Sequence, residues 1–457
     1  MKILVIGLDC AAPEVLLEDE RLTNIRHLMS VGCYGRLESV VPPITVPAWM
    51  CMATSQDPGS LGVYGFRNRV DRSYGGLRVV DSKAFRQLTI WDQIARQGGR
   101  ANIVGVPPNY PPRRINGVSI GCFLTPSEAG TVFVEPQSMQ SELIARFGDY
   151  VVDVTGYRTA DKLRLRDQIY AMTRTHFEVI RYLMTQTEWD YFQFVEIGLD
   201  RMHHGFWKHH DPSHVLHPAD SPFADIVRDY YQYLDDEIGR VLQCLTEETI
   251  ICVLSDHGAQ RLDGGFCINQ WLIDQGWLVL RQQPDKITPF AELDVDWKRT
   301  RVWSEGGYCA RVFLNLQGRE PEGAISPGEY ERFRDEVKAR LEATTDANGK
   351  PLGTLVFKPE EIYRQVRGIA PDLLVHFGGL FWRSVGGVGY PSWHVLENDT
   401  GPDDCNHAQF GAFVLAATNL PIQGRLEQAH LLVLLFDLLS RDASVFWHSS
   451  LWAASSR

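Results

Sequence analysis

No two cysteines in this 457-residue chain have the CxxC spacing of a thiolate metal site. The nine cysteines are odd in number and scattered, with Cys51, Cys122 and Cys252 inside apolar stretches. That pattern excludes a disulfide framework and a cysteine zinc site, and it points to a reducing, cytoplasmic compartment. Nowhere do eighteen apolar residues follow one another, so no membrane span is expected. The opening run Ile3 to Leu8 is too short for a signal peptide and is interrupted by Asp9, so it reads as a buried strand. Positive charge is scarce: 45 Lys and Arg face 57 Asp and Glu, a formal net charge of −12. Such a chain does not work by neutralising a nucleic-acid polymer. An anionic substrate would need local positive charge, which bound metal supplies. Internal repeats and low-complexity tracts are missing as well.

The 44% hydrophobic and 22% charged fractions are those of a globular protein. The length allows two or three domains, or one large α/β domain with insertions. Apolar runs predict strands over 2–8, 101–106, 191–197, 249–254 and 411–416, and 35–40 reads as a further strand. Helical spacing falls between them, over 21–30, 91–97, 137–147, 161–186 and 223–245, with a closing helix over 426–439. This alternation predicts an α/β fold with a mostly parallel central sheet covered on both faces, a three-layer αβα sandwich. Residues 1–280 and 365–457 read as the core, which the chain rejoins at 372–377. Residues 281–364 read as a peripheral subdomain or long insertion, with a hairpin over 302–316 and a charged helix over 328–344. The tail 443–457, with Phe446, Trp447 and Trp452, is expected to dock on the fold. The loop from His209 to Pro222 holds His209, His210, His214 and His217 without fixed ligand spacing, so it reads as a lid or surface loop.

Chemistry concentrates where strands are expected to end. Between the strand at 35–40 and a following helix lies Val41-Pro42-Pro43-Ile44-Thr45-Val46-Pro47-Ala48-Trp49. The prolines stiffen the approach, Pro47 suits a first helical turn, and Thr45 falls at the positive end of the helix dipole. An ordinary N-cap is the structural alternative for Thr45. Asp9 follows the first strand, where it could equally cap the next helix. Asp200 and His204 lie four apart, on one face of a helical turn, so both can reach one ion; His203 competes at i+3. An Asp cap with two surface histidines is the alternative there. Asp256 and His257 converge only if their strand has ended, which Gly258 favours over a plain polar turn. His407 lies in the loop before a strand and could be satisfied locally. In open α/β sheets ligands bind at the strands' C-terminal edge. Carboxylate with imidazole suits zinc, manganese or iron rather than calcium.

In this order the residues resemble the alkaline phosphatase superfamily, and within it the type I phosphodiesterase/nucleotide pyrophosphatase family. The resemblance rests on Gly7-Leu8-Asp9, the turn around Thr45, Gly198-Leu199-Asp200 with His204, Ser255-Asp256-His257-Gly258, and His407 with Gly411. It implies an alkaline-phosphatase-like fold and two divalent metal ions, zinc first, with manganese or iron as alternatives. One ion would be held by Asp9, Thr45, Asp256 and His257, the other by Asp200, His204 and His407. Thr45 would be the nucleophile, forming a phosphothreonine intermediate, and Asn68 would hold a phosphoryl oxygen. Arg67 or Arg69 could take the Asn68 role, or the stretch could be a solvated turn. Sulfatase chemistry is disfavoured, because Trp49 stands where the Cys/Ser-x-Pro-x-Arg motif has Arg. The implied activity is a phosphodiesterase or nucleotide pyrophosphatase acting on a small phosphorylated substrate, a nucleotide among the candidates. A phosphomutase, phosphotransferase or phosphomonoesterase of the same superfamily, and a non-catalytic metal-binding scaffold, stay open as alternatives.

Overall fold

The computed structural model describes residues 2–397 and 399–418, and the backbone of 424–430. At its centre lies a nine-stranded sheet. The strand order is Gly424–His430, Cys33–Glu38, Phe410–Ala417, Thr249–Leu254, Lys2–Leu8, Tyr191–Glu196, Ala101–Val104, Ser119–Ile120 and Val134–Glu135. The strands run parallel except Phe410–Ala417 and Val134–Glu135. Lys2–Leu8 is apolar on both faces because both faces are covered. Ile3 and Val5 enter a core with Trp49 and Trp91, while Leu4, Ile6 and Leu8 enter another with Phe177 and Leu183. The helices Thr45–Thr54 and Ile90–Arg96 cover the first face. Thr23–Val31, Lys162–Gln186, Gly198–His210 and Ile226–Leu242 cover the second. The result is the three-layer sandwich that the strand–helix alternation predicts.

Two expectations are corrected. Gly424–His430 is a strand paired in parallel with Cys33–Glu38, where the sequence predicts the start of a helix. Its Leu, Glu, Gln and Ala favour helix locally, but the open backbone edge of Cys33–Glu38 offers ladder bonds that outweigh propensity. The rest of that expected helix, and the aromatic tail, lie outside the described residues. The strand Leu373–His376 does not rejoin the central sheet. It pairs with Ala310–Leu314 and Leu355–Phe357 in a smaller antiparallel sheet completed by Val302–Glu305. That sheet has its own core, including Phe266, Trp303, Phe313, Phe333 and Phe377, which is wider than 281–364. No helix among the described residues is long and apolar enough to cross a membrane.

The topology fixes where chemistry can gather. Lys2–Leu8, Cys33–Glu38, Tyr191–Glu196 and Thr249–Leu254 end at one edge of the sheet, and the antiparallel Phe410–Ala417 begins there.

Candidate active site

Each connection at that edge delivers one or two candidate residues. Asp9 follows Lys2–Leu8 directly, and Cys10 turns the chain with φ 68. This strained residue places its N–H on Asp256 Oδ1 at 3.3 Å. Thr45 opens the helix Thr45–Thr54, with Ile44 in the cap position and no side-chain cap. Its hydroxyl is therefore free of capping and faces Asp9 Oδ1 at 3.5 Å and His257 Nε2 at 3.2 Å. Asp200 and His204 lie in the first two turns of Gly198–His210. The strand Cys405–Ala408 pairs with Gly258–Arg261, and His407 stands opposite Ala259. His257 is then His407's diagonal neighbour on the same face, and the two rings stack with centroids 3.7 Å apart.

The donor atoms fall into two groups. Asp200 Oδ1, His204 Nε2 and His407 Nε2 are separated by 3.3 to 3.7 Å. His257 Nε2 lies 3.8 Å from Asp9 Oδ1 and 3.2 Å from Asp256 Oδ2, with Thr45 Oγ1 at the distances above. A tetrahedral ion with bonds of about 2.0 Å separates its ligand atoms by about 3.3 Å, so both groups are near coordination spacing.

The other atom of each candidate ligand is already committed. Asp9 Oδ2 accepts from Trp49 Nε1 at 2.8 Å, and Asp200 Oδ2 from Arg201 Nη1 at 2.6 Å. His204 Nδ1 meets Asp403 Oδ1 at 2.5 Å, His407 Nδ1 the Pro43 carbonyl at 2.9 Å, and His257 Nδ1 the Gly258 carbonyl at 3.1 Å. These contacts aim all three Nε2 lone pairs inward, the arrangement by which outer partners orient metal-binding histidines. Asp200 Oδ1 and Asp256 Oδ2 are buried, and no hydrogen bond reaches either. Orphaned carboxylate oxygens beside inward imidazoles fit a divalent cation.

Electrostatics agree with that fit at every candidate but His204, where burial is outweighed, by Asp403 foremost, and the imidazole is held well above its ordinary value. Burial, reinforced by Asp200, holds the Asp9 carboxyl well above the ordinary range, and burial with Asp9 does the same to Asp256. Asp200 is also buried, but His204 and Arg201 outweigh this and hold it well below. Burial depresses His257 to about 4 and, with His257 nearby, holds His407 well below its ordinary value. Neutral imidazole is the ligating form, and crowded carboxylates are relieved by a cation.

The other candidate histidines lie elsewhere. His203 packs against Trp207 and Tyr231, and burial pushes it to about 3. His209 and His217 make local contacts to Ser221 Oγ and the Lys208 carbonyl, and His214 reaches the distant Asp404 carbonyl. Asn68 accepts from the Tyr64 N–H at 2.8 Å and donates to the Gly65 carbonyl at 2.9 Å, closing its own turn.

Sequence reading missed three supporting groups. Trp49 reaches Asp9 only because Gly7 lacks a side chain: a Cβ there would stand 2.5 Å from Trp49 Cη2. Asp403 orients His204 and is itself held by Arg158 Nε at 2.8 Å and Arg383 Nη1 at 3.0 Å. Tyr308, in the bend between Val302–Glu305 and Ala310–Leu314, stacks on His407 at 3.7 Å. The only sequence signal was Trp49 itself, filling the position where sulfatases carry Arg.

A family model described as type I phosphodiesterase / nucleotide pyrophosphatase matches residues 3–403. No curated protein was found to match the chain by sequence. Among solved structures, human ectonucleotide pyrophosphatase / phosphodiesterase 5 is similar at 14% identity and TM-score 0.52, covering 96% of this chain and 94% of that one. Its murine counterpart, in an inactive form in complex with AMP, is similar at 14% identity and TM-score 0.51, again covering 96% and 94%. Phosphonoacetate hydrolase from Sinorhizobium meliloti 1021, in complex with phosphonoformate, matches at 15% identity and TM-score 0.57, with 92% of each chain covered. At these identities the likeness establishes the fold alone.

Proposed function

Because the chain belongs to the type I phosphodiesterase/nucleotide pyrophosphatase family, which supports a phosphoric ester hydrolase, we propose that it hydrolyses small phosphodiesters or nucleotide pyrophosphates through Thr45. The observation that carries this reading is the Thr45 hydroxyl. It sits uncapped at a helix N-terminus, within 3.5 Å of Asp9 Oδ1 and 3.2 Å of His257 Nε2. Asp9, Thr45, Asp256 and His257 would hold one divalent ion, and Asp200, His204 and His407 a second, with zinc, manganese or iron suited to the donor set. When bound, such ions supply the positive charge that makes a hydroxyl nucleophilic and offsets charge on phosphoryl oxygens.

The chain's own residues do the rest. Thr45 Oγ1 attacks phosphorus in line, the leaving alcohol departs on the opposite side, and phosphothreonine forms. Water then attacks the same phosphorus, and Thr45 is released. The backbone N–H groups opening Thr45–Thr54 face the phosphoryl oxygens, as helix N-termini do for anions. Asn68, its turn made, keeps one amide hydrogen for a phosphoryl oxygen. AMP and phosphonoformate in the similar structures support a small phosphorylated substrate. All nine cysteines are unpaired, which supports a reducing compartment, the cytoplasm in our reading.

The diester assignment is tested by comparing bis-p-nitrophenyl phosphate with p-nitrophenyl phosphate. A kcat/KM at least roughly tenfold higher for the diester is expected, a difference of about 1.4 kcal/mol in transition-state binding. A clear advantage for the monoester would reassign the chain to monoester hydrolysis. Transfer of the phosphoryl group to an added alcohol in preference to water would make it a phosphotransferase.

A further inference from the structure

We infer that Tyr308 is a catalytic residue whose phenol O–H donates a hydrogen bond to the departing ester oxygen of the substrate. The inference rests on the two-metal reading and assigns a role to a residue outside the expected ligand set.

Tyr308 comes from the smaller sheet, yet it reaches the cluster at the edge of the large one. Its ring stacks on His407 at 3.7 Å, continuing the His407–His257 stack across both donor groups. Its Oη lies 3.4 Å from His204 Nε2, and Arg158 Nη2 lies 3.3 Å from the same oxygen. Arg158 is a pure donor, so it uses a lone pair of Tyr308 Oη and leaves the phenol proton for something else. His204 Nδ1 is engaged by Asp403, so Nε2 is the ring atom through which His204 would hold an ion. Tyr308 Oη faces that Nε2, whose lone pair an ion held by His204 would take, so the ring then offers the phenol no acceptor. The phenol then needs a new acceptor on the same side of the ring. An ester oxygen leaving beside Asp200, His204 and His407 gains negative charge within reach of that O–H. A donor preset for developing charge is worth most when the leaving oxygen is most basic.

The test uses the full-length metal-loaded enzyme and Y308F, which keeps the ring stack. Substrates are aryl methyl phosphates from p-nitrophenyl to unsubstituted phenyl. With p-nitrophenyl as leaving group, kcat/KM of Y308F should stay within about threefold of wild type, and with phenyl it should fall by up to about 10²-fold. Zinc affinity, measured by competition with a chelator, should be unchanged, whereas loss of a ligand-orienting group costs about 10–100-fold. A uniform rate loss across the series, with zinc affinity reduced, would overturn the inference and make Tyr308 a positioning residue for His204. Y308F indistinguishable from wild type would overturn it too. If Y308F does not fold, difluorotyrosine at 308, a stronger donor, should speed release of phenol; an unchanged rate would again contradict it. A wild-type enzyme inert to the whole series would remove the diesterase reading itself, whereas an active wild type with a flat Y308F response removes only the role of Tyr308.

Discussion

Thr45→Ala is expected to lower turnover by about 10⁴-fold or more, the scale on which removing a nucleophile acts. The change is small structurally. Thr45 caps no helix end, and Ala suits the first turn of Thr45–Thr54. Its methyl is buried, so a stability cost of about 1 kcal/mol is reasonable for the lost contacts. Asp9, Asp256 and His257 remain, so metal analysis should still find the ions bound. Thr45→Ser keeps the hydroxyl and should retain measurable turnover, with the extra rotamer freedom of Ser lowering it. A fully active Thr45→Ala would end the nucleophile assignment. An inactive variant that had also lost its metal would make the residue only a ligand.

Removing metal is expected to have an effect as large and to show in stability as well as rate. EDTA should abolish turnover, and zinc or manganese should restore it better than calcium, since three of the ligands are imidazoles. The physical basis is the buried carboxylate group Asp9, Asp200 and Asp256, two of whose oxygens no hydrogen bond reaches. Like charges in low dielectric destabilise the metal-free fold, and a ligand binding only the native state adds RT ln(1 + [L]/Kd). At a thousand times Kd that is about 4 kcal/mol, read as a rise in melting temperature. Metal analysis of the native protein should give two equivalents, falling to one on replacement of His407. Activity undisturbed by exhaustive chelation would contradict the scheme.

How much of this was legible in the sequence follows from what each residue depends on. Asp9, Asp200 and Asp256 could be placed because each follows a strand whose apolar run marks its own end, and Thr45 because prolines mark its turn. His407 needed more, since its strand is antiparallel and only the pairing with Gly258–Arg261 sets it beside His257. Asp403, Tyr308 and Arg158 carry no local pattern. Their role exists only in contacts that bridge distant segments, such as Asp403 to His204 across 199 positions. The edge strand Gly424–His430 was missed for a similar reason: its neighbour, not its composition, decides its form. Trp49 was visible as a departure from the sulfatase motif, but its bond to Asp9 needed the gap at Gly7.

The stereochemical course at phosphorus tests the central claim most directly. A phosphorothioate diester of known configuration, hydrolysed in isotopically labelled water, undergoes one in-line displacement or two. Attack by Thr45 followed by attack of water predicts retention overall. Inversion would mean that water attacks the substrate directly, and it would contradict a phosphothreonine intermediate at Thr45.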